Sequence, residues 1–202
     1  SVKECISGAL DLGIKNLTLY VFSMENWERP KFEVNALMKL LVSSLENECD
    51  SLNKNNIKIT AIGDINSLTS NTRKKLKEVI SKTSKNNKLN LNLAISYGSR
   101  QELVNAIKII SYKVKNNIIS EEKIDENIIN EHLYTRNLPS VDLLIRTGGE
   151  SRVSNFLLWQ IAYAELFFTD ILWPDFRKED FFNAIVDYQN RERRFGKISE
   201  QK

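Results

Sequence analysis

Histidine and cysteine, the side chains that most often build metal sites and catalytic triads, are nearly absent from this chain of 202 residues. His132 is the only histidine, so a histidine-based triad or a site with several histidine ligands is hard to build. The two cysteines, Cys5 and Cys49, have neither the spacing of a metal site nor the number for a disulfide framework. We expect both to be reduced and to lie in helices or the core of a cytoplasmic protein.

Long apolar runs and a strong charge imbalance are also missing. No stretch approaches the ~20 apolar residues that span a bilayer, and no secretory signal pattern opens the sequence. The formal net charge of +3 is too small to indicate nucleic-acid binding. Neither a P-loop nor a dinucleotide fingerprint occurs, and no basic face is interleaved with aromatic residues. We therefore expect no nucleic-acid partner.

Arginine, in contrast, is unevenly distributed. Six of the ten arginines lie from Arg146 onward, whereas lysine is spread over presumed helix surfaces. Guanidinium groups bind carboxylates and phosphates through paired hydrogen bonds, so this concentration indicates anion recognition. The alternative is a salt-bridged helix end, since Glu192 lies among the last arginines.

Apolar periodicity predicts strands that alternate with helices. The predicted strands are 16–22, 57–62, 89–94, 143–145 and 165–168, and the predicted helices are 2–12, 33–52, 67–84, 101–116, 156–164 and 178–191. This order is typical of the α/β class, here a single domain with a largely parallel central β-sheet flanked by helices. The chain opens without Met, inside a helical pattern, so we expect residues 1–202 to lack a natural N-terminal segment.

The segment 142–156 organises the chain. It reads as a buried strand, a turn at Gly148-Gly149 and the start of a helix capped by the Ser-Asn pair before it. We expect the glycines to leave amide N–H groups bare at the carboxyl end of the strand. With Arg146 and Arg152 beside them, these amides suit a phosphate or diphosphate. The alternative is an ordinary glycine turn with solvated arginines.

A polar loop from Ser23 to Pro30 follows the first strand and contains one large aromatic residue, Trp27. Polar side chains beside a tryptophan at the carboxyl end of a strand are typical of a ligand-binding loop. A tryptophan that only packs the loop down is an equally good explanation.

Several motifs that appear in order along the chain carry a resemblance to a known family. They are Ser23-x-Glu25-Asn26-Trp27-x-Arg29-Pro30, Ile145-Arg146-Thr147-Gly148-Gly149-Glu150, Arg152-x-Ser154-Asn155-Phe156, Trp159-Gln160-x-x-Tyr163-x-Glu165, Trp173-Pro174 and Arg191-x-Arg193-Arg194-x-Gly196. Together they resemble the cis-prenyltransferases, specifically the bacterial undecaprenyl diphosphate synthases, over nearly the whole chain.

The resemblance implies an enzyme that adds isopentenyl diphosphate units in cis to farnesyl diphosphate. The product would be a long-chain polyprenyl (undecaprenyl) diphosphate, the lipid carrier for bacterial cell-wall synthesis. It further implies a homodimer that uses Mg²⁺ in the cytoplasm, with peripheral membrane contact. A non-catalytic subunit that keeps the fold and supports a partner is the alternative.

The same resemblance assigns roles to individual positions. Asn26 matches the catalytic position, where proton removal follows condensation, and Glu165 matches a Mg²⁺ ligand. The positions that match substrate-binding residues are Ser23, Met24, Glu25, Trp27, Arg29, Arg146, Arg152, Val153, Ser154, Arg193, Arg194 and Gly196. The tail from Arg193 to Gly196 is expected to reach across the dimer and close the partner's site.

Two departures from the family pattern matter. The Mg²⁺-binding aspartate motif of the family would lie upstream of residue 1, so we expect the chain as given to be impaired. Ser151 stands where some relatives carry a histidine near the metal, which leaves more of the coordination to Glu165. An apolar channel for the growing product is also required. Its walls could be the strand residues Val21, Ile57, Ile59 and Leu89, facing the apolar stripe Leu37, Leu41 and Leu45, although ordinary core is the better explanation for each of them alone.

Overall fold

A computed structural model describes residues 1–192, so the predictions for Arg193, Arg194 and Gly196 lie outside the described residues. The chain forms two compact units. The inserted unit is Gly13–Pro139, and the split unit combines Ser1–Leu12 with the chain from Ser140 onward. That the whole is one domain stays a prediction.

The described residues contain five strands and six α-helices. The strands are β1 (Asn16–Ser23), β2 (Ile57–Ile62), β3 (Leu89–Tyr97), β4 (Leu143–Arg146) and β5 (Glu165–Phe168), and the helices are α1 (Val2–Asp11), α2 (Lys31–Lys54), α3 (Ser70–Thr83), α4 (Ser99–Lys115), α5 (Glu126–His132) and α6 (Lys178–Gln189). All strand pairs are parallel, which confirms the α/β class. The strand order is β1-β3-β2 in the inserted unit and β4-β5 in the split unit. No helix in residues 1–192 has the length and apolar character of a membrane span.

The central strand β3 holds the inserted unit together. It pairs with β1 from Asn16↔Asn90 and with β2 from Ile57↔Leu89. Both of its faces are buried, as expected of a parallel strand between two neighbours. On one face the fully buried Asn92 accepts a hydrogen bond from Thr60 at 3.1 Å and donates one to Thr18 at 3.3 Å, which satisfies its amide inside the sheet.

The other face of this sheet packs against α2 and α3. Among the residues considered for a product channel, Leu45, Ile57 and Leu89 are buried and belong to the core, whereas Val21 and Leu37 are more than a third exposed. Burial of large aliphatic side chains in this layer is the main stabilising contribution to the unit.

Gly63 allows β2 to approach β3 closely where the two strands end. Its φ is +115°, and a Cβ at this position would lie 2.1 Å from the carbonyl oxygen of Ile95. The next residue, Asp64, donates its backbone N–H to the carbonyl oxygen of Ser96 at 3.0 Å. Glycine is therefore required here both by the backbone angle and by space.

In the split unit, β4 and β5 pair from Leu143↔Glu165. Helices α1 and α6 pack together, and a Cβ added to Gly8 of α1 would lie 2.8 Å from Cδ1 of Phe181 in α6. Cys5 of α1 and Cys49 of α2 are both free and buried, which confirms their expected placement in helices and the core.

The helix predicted over 156–164 is wrong, because the structure has a series of turns there. The φ angles of Ser154, Asn155 and Leu157 are +47°, +61° and +51°, in the left-handed region. Left-handed residues interrupt the hydrogen-bond ladder of an α-helix, so the Ser-Asn pair does not cap one. The apolar residues of this segment therefore lie in turns, although their spacing in the sequence resembles that of a helix.

Candidate active site

The β1 loop (Ser23–Arg29) begins as a capped 3₁₀ turn at the carboxyl end of β1. The Asn26 backbone N–H donates to Ser23 Oγ at 3.3 Å, and the Ser23 backbone N–H donates to Asn26 Oδ1 at 3.0 Å. This reciprocal pair is a capping box, in which the sequence closes its own turn. It fixes the Asn26 side chain through its amide oxygen.

Trp27 and Met24 turn toward β3 and are held there by one hydroxyl group. The indole Nε1–H of Trp27 donates to Ser96 Oγ at 2.9 Å, and Ser96 Oγ lies 3.3 Å from Met24 Sδ. The edge of Phe22 also packs against the Trp27 ring, with centroids 5.1 Å apart. Sequence reasoning missed Ser96, because nothing in the sequence distinguishes this serine from others at strand ends.

The remaining polar groups of the β1 loop point to solvent. Glu25 is exposed, and Arg29 forms an exposed ion pair of 3.8 Å with Glu33. Beneath the loop, burial and then the charge of Glu25 raise the pKa of Tyr20 to about 12. The Tyr20 hydroxyl therefore stays protonated and donates to the carbonyl oxygen of Tyr97 at 3.0 Å.

A cleft of about 420 Å³ opens in the inserted unit beside this loop. The side chains that line it include Met24, Asp64, Asn66, Ser96, Gln101, Asn105 and Tyr134. The carboxyl ends of the parallel strands are the usual location of ligands in open α/β sheets. The lining mixes polar and apolar groups and contains one carboxylate and no cation, so this cleft by itself does not attract an anion.

In the split unit, the arginine loop (Arg146–Ser154) brings together two of the predicted head-group residues. Arg146 Nη1 donates to Ser154 Oγ at 2.8 Å. The bare amides predicted at the glycine turn are wrong: Gly148 N–H donates to the Ile171 carbonyl at 2.8 Å and Gly149 N–H to the Thr169 carbonyl at 3.0 Å. The groups of this loop that could bind an anion are therefore side chains.

Arg152 and Val153 lie farther along the arginine loop. Arg152 is exposed and forms an ion pair with Glu150, while the Val153 carbonyl accepts from the Phe156 N–H at 3.1 Å. An exposed ion pair contributes little stability. The Arg152 guanidinium can consequently exchange its carboxylate for a phosphate at small cost.

Glu165 starts β5 and is held by Arg191. The Glu165 carboxylate accepts from Arg191 Nη1 at 2.9 Å, and Arg191 Nη2 lies 2.6 Å from Asp187. The hydrogen bond to Glu165 is the largest cause of a raised pKa at Arg191, so the guanidinium stays charged. Glu165 thus has a cationic partner in this structure.

The family to which the chain belongs follows from its match to a family model. Residues 1–196 match the family model for undecaprenyl diphosphate synthase. The chain belongs to the cis-prenyltransferase family.

Relatives of this cis-prenyltransferase match nearly the whole of the given chain. It is 48% identical over 200 residues to the ditrans,polycis-undecaprenyl-diphosphate synthase ((2E,6E)-farnesyl-diphosphate specific) of Pasteurella multocida, covering 99% of this chain and 83% of that protein. It is 47% identical over 196 residues to the enzyme of the same name from Escherichia coli, covering 97% of this chain and 78% of that protein.

Solved structures show the same fold. Lavandulyl diphosphate synthase from Lavandula x intermedia, in complex with dimethylallyl diphosphate, matches with a TM-score of 0.93 and 37% identity, covering 97% of this chain and 85% of that one. A Campylobacter jejuni protein described as undecaprenyl diphosphate synthase matches with a TM-score of 0.85 and 38% identity, covering 97% and 90%.

Membership of the prenyl diphosphate synthases generally implies a divalent metal ion. Its ligands would have to come from the oxygen-bearing side chains of this chain. The described residues contain no cluster of three or more His, Cys, Asp or Glu side chains that would cage an ion. Mg²⁺, however, is usually held by one or two carboxylates together with substrate phosphates and water. Glu165 fits that mode, and the exposed Ser151 adds only a weak oxygen donor.

Proposed function

We propose that this cis-prenyltransferase repeatedly condenses isopentenyl diphosphate with farnesyl diphosphate and forms a cis double bond at each addition. The product is a long-chain polyprenyl (undecaprenyl) diphosphate, the lipid carrier for cell-wall synthesis. The observation that carries the proposal is the Arg146–Ser154 pair, which joins a guanidinium to a hydroxyl where the family's isopentenyl diphosphate residues match. The farnesyl-specific name of the Pasteurella multocida relative supports the choice of primer.

The arginine loop binds the diphosphate of isopentenyl diphosphate in this proposal. Arg146 and Arg152 supply charge-assisted hydrogen bonds to phosphate oxygens, and Ser154 and the chain at Val153 complete the cradle. Each condensation forms one carbon–carbon bond, expels diphosphate from the allylic substrate and releases one proton. Fixed guanidiniums favour the charge that develops on the diphosphates because they need little reorganisation.

The β1 loop contacts the substrate through Ser23, Met24, Glu25, Trp27 and Arg29. Asn26 acts where the proton is lost. A neutral amide is a poor base, and the Asn26 oxygen already accepts from the Ser23 backbone N–H. We therefore assign Asn26 the task of orienting a diphosphate oxygen or a water molecule that takes the proton.

Mg²⁺ is the proposed cofactor, with Glu165 as a ligand that must exchange its ion pair with Arg191. When bound, the ion neutralises and orients diphosphate oxygens. The proposed assembly is a homodimer in which Arg193, Arg194 and Gly196 close the partner's site. Because the product is a hydrocarbon lipid, we place the enzyme in the cytoplasm with peripheral membrane contact.

The deciding experiment is a condensation assay with the natural full-length protein, labelled isopentenyl diphosphate, farnesyl diphosphate and Mg²⁺. Chelator-sensitive incorporation into long polyprenyl chains is the expected result. No incorporation by a folded dimer would reject the enzyme and favour a non-catalytic subunit. A parallel arm offers dimethylallyl diphosphate, because the lavandulyl diphosphate synthase matched in fold was solved with that primer.

A further inference from the structure

One buried hydroxyl, that of Ser96, connects the β1 loop to the rest of the sheet. Ser96 is 1% exposed and has a φ of +50°. A non-glycine residue with positive φ is uncommon, and such strain persists only where surrounding contacts hold it. The left-handed turn comes just before Tyr97, which pairs with Ser23 at the base of the β1 loop after a register shift between β1 and β3.

Hydrogen bonds connect Trp27, through Ser96 and Ser67, to the Asp64 backbone. Trp27 Nε1–H donates to Ser96 Oγ at 2.9 Å, Ser96 Oγ lies 2.8 Å from Ser67 Oγ, and Ser67 Oγ donates to the Asp64 carbonyl at 2.7 Å. Since a hydroxyl has one proton, the Ser67 proton is used on Asp64, and Ser96 can donate to Ser67 or to Met24 Sδ. The Trp27 indole N–H can only donate, so Ser96 Oγ is the acceptor of that bond.

The same residue is also fixed through its backbone. The Ser96 carbonyl accepts from the Asp64 N–H at 3.0 Å, at the close approach that Gly63 permits. Ser96 therefore ties the segment after β2 to the end of β3 with its backbone, and ties the β1 loop to both with its side chain. Such bonds across separate segments are typical of the shell that fixes a binding group in place.

We propose that Ser96 is a positioning residue for substrate binding, which holds Trp27 and Met24 of the β1 loop in the orientation that contacts the allylic substrate. The proposal rests on the proposed function, because the β1 loop contacts substrate only if that function is right. Ser96 itself need not touch the substrate. Its loss releases the indole N–H and the thioether together, so the loop samples other orientations before the substrate binds.

The test compares Ser96→Ala and Ser96→Gly with a control that loses a hydroxyl elsewhere in the same sheet. Thr60→Val is that control, since Thr60 Oγ1 bonds to Asn90 and Asn92 rather than to the β1 loop. Ser96→Gly removes the hydroxyl and relieves the positive φ, so it keeps the test valid if the alanine variant folds poorly. Ser96→Asn is the rescue variant, because asparagine tolerates left-handed φ and carries an acceptor oxygen.

The readouts are the KM for farnesyl diphosphate, kcat, and the ¹⁹F spectrum of 5-fluorotryptophan-labelled full-length protein, with Trp27 assigned by a Trp27→Phe variant. For Ser96→Ala and Ser96→Gly we expect the KM to rise about three- to tenfold, corresponding to about 0.7–1.4 kcal/mol, and kcat to change less than the KM. The Trp27 resonance shifts or broadens without substrate present. Thr60→Val leaves both unchanged, and Ser96→Asn restores at least part of the wild-type KM.

An unchanged KM and Trp27 resonance in Ser96→Gly, in a wild-type background that is active, would overturn the proposal while leaving the proposed function intact. Equal KM increases in Ser96→Gly and Thr60→Val would also overturn it, because a general loss of sheet stability would then be the cause. An inactive wild-type protein would instead reject the proposed function. If the Trp27 resonance still depended on Ser96 in that case, the Trp27–Ser96 hydrogen bond would have a structural role only, and the positioning role would be rejected too.

Discussion

Replacement of Glu102 by Gln is the sharpest test of how the inserted unit is stabilised. Glu102 of α4 is 1% exposed, and its carboxylate joins two separate segments. Oε2 accepts from the Tyr97 hydroxyl at 2.6 Å, and Oε1 accepts from the Tyr134 backbone N–H at 2.7 Å. A glutamine has one acceptor oxygen and an NH₂ group, so it cannot accept from both donors. Either the Tyr134 N–H faces the NH₂ group, or the Tyr97 hydroxyl accepts from the NH₂ group and its own proton loses its acceptor.

The magnitude follows from the loss of one buried hydrogen bond to a carboxylate, plus a donor left without an acceptor. Such bonds contribute about 1.5–3 kcal/mol, and an unsatisfied buried group costs about 1–3 kcal/mol. We expect Glu102→Gln to lower the free energy of unfolding by about 3 kcal/mol, which for a chain of this size lowers the Tm by about 6–12 °C. Urea denaturation and thermal melting measure the change.

A double-mutant cycle isolates the bond. Tyr97→Phe removes only the hydroxyl, so it should destabilise the protein alone but add less in the Glu102→Gln background, with a coupling energy of about 0.5–3 kcal/mol. A Glu102→Gln protein within 0.5 kcal/mol of wild type, or two strictly additive substitutions, would show that the carboxylate does not hold these segments.

Three further predictions test other parts of the molecule. Gly63→Ala should lower the free energy of unfolding by about 3 kcal/mol or more, because the added Cβ would lie 2.1 Å from the Ile95 carbonyl oxygen. Gly13→Ala is the control: Gly13 has a φ of +68° but open space around it, so the loss should be only about 1 kcal/mol in urea denaturation. Burial raises the pKa of the Cys5 thiol from 9.0 to about 11, so its contribution to stability is fully present below pH 9 and is lost as the pH rises to 11. Cys5→Ala should flatten the curve of unfolding free energy against pH between pH 9 and 11. A slope equal to that of the wild type in this range would contradict the prediction. Arg146→Lys should raise the KM for isopentenyl diphosphate about tenfold or more, because a lysine cannot bind phosphate through two parallel hydrogen bonds; Arg73→Lys on α3 is the control and should leave it unchanged.

Patterns that depend on local periodicity predicted the fold well. The bounds of β2 and β5 were predicted to the residue, since Ile57–Ile62 and Glu165–Phe168 are short apolar runs with clear ends. The helix over 156–164 failed for the opposite reason. Its apolar spacing looks helical, but Leu157 inside it and Ser154 and Asn155 just before it adopt positive φ. No propensity rule assigns that angle to Leu157.

The candidate site was predictable only in its residue types. Motif order pointed to Arg146 and Ser154, and the structure joins them by a hydrogen bond. The hydrogen-bonding state of the glycine amides was not predictable, because their acceptors, the carbonyls of Thr169 and Ile171, come from a segment about twenty residues later. Ser96 was missed for the same reason: its partners are distant in sequence, and a single serine carries no periodic signal.

The discontinuous course of the split unit has a consequence for how the protein is made. Helix α1 is synthesised before the inserted unit, yet it packs against α6, which is synthesised after that unit. Within the inserted unit, β1 and β2 must likewise wait for β3, because the sheet order places the latest strand in the middle. On the ribosome the inserted unit can close while α1 still shows Ala9 and the other apolar residues of its packing face to solvent. A nascent chain stalled before α6 should therefore bind chaperones through the packing face of α1, and release should coincide with the emergence of Phe181.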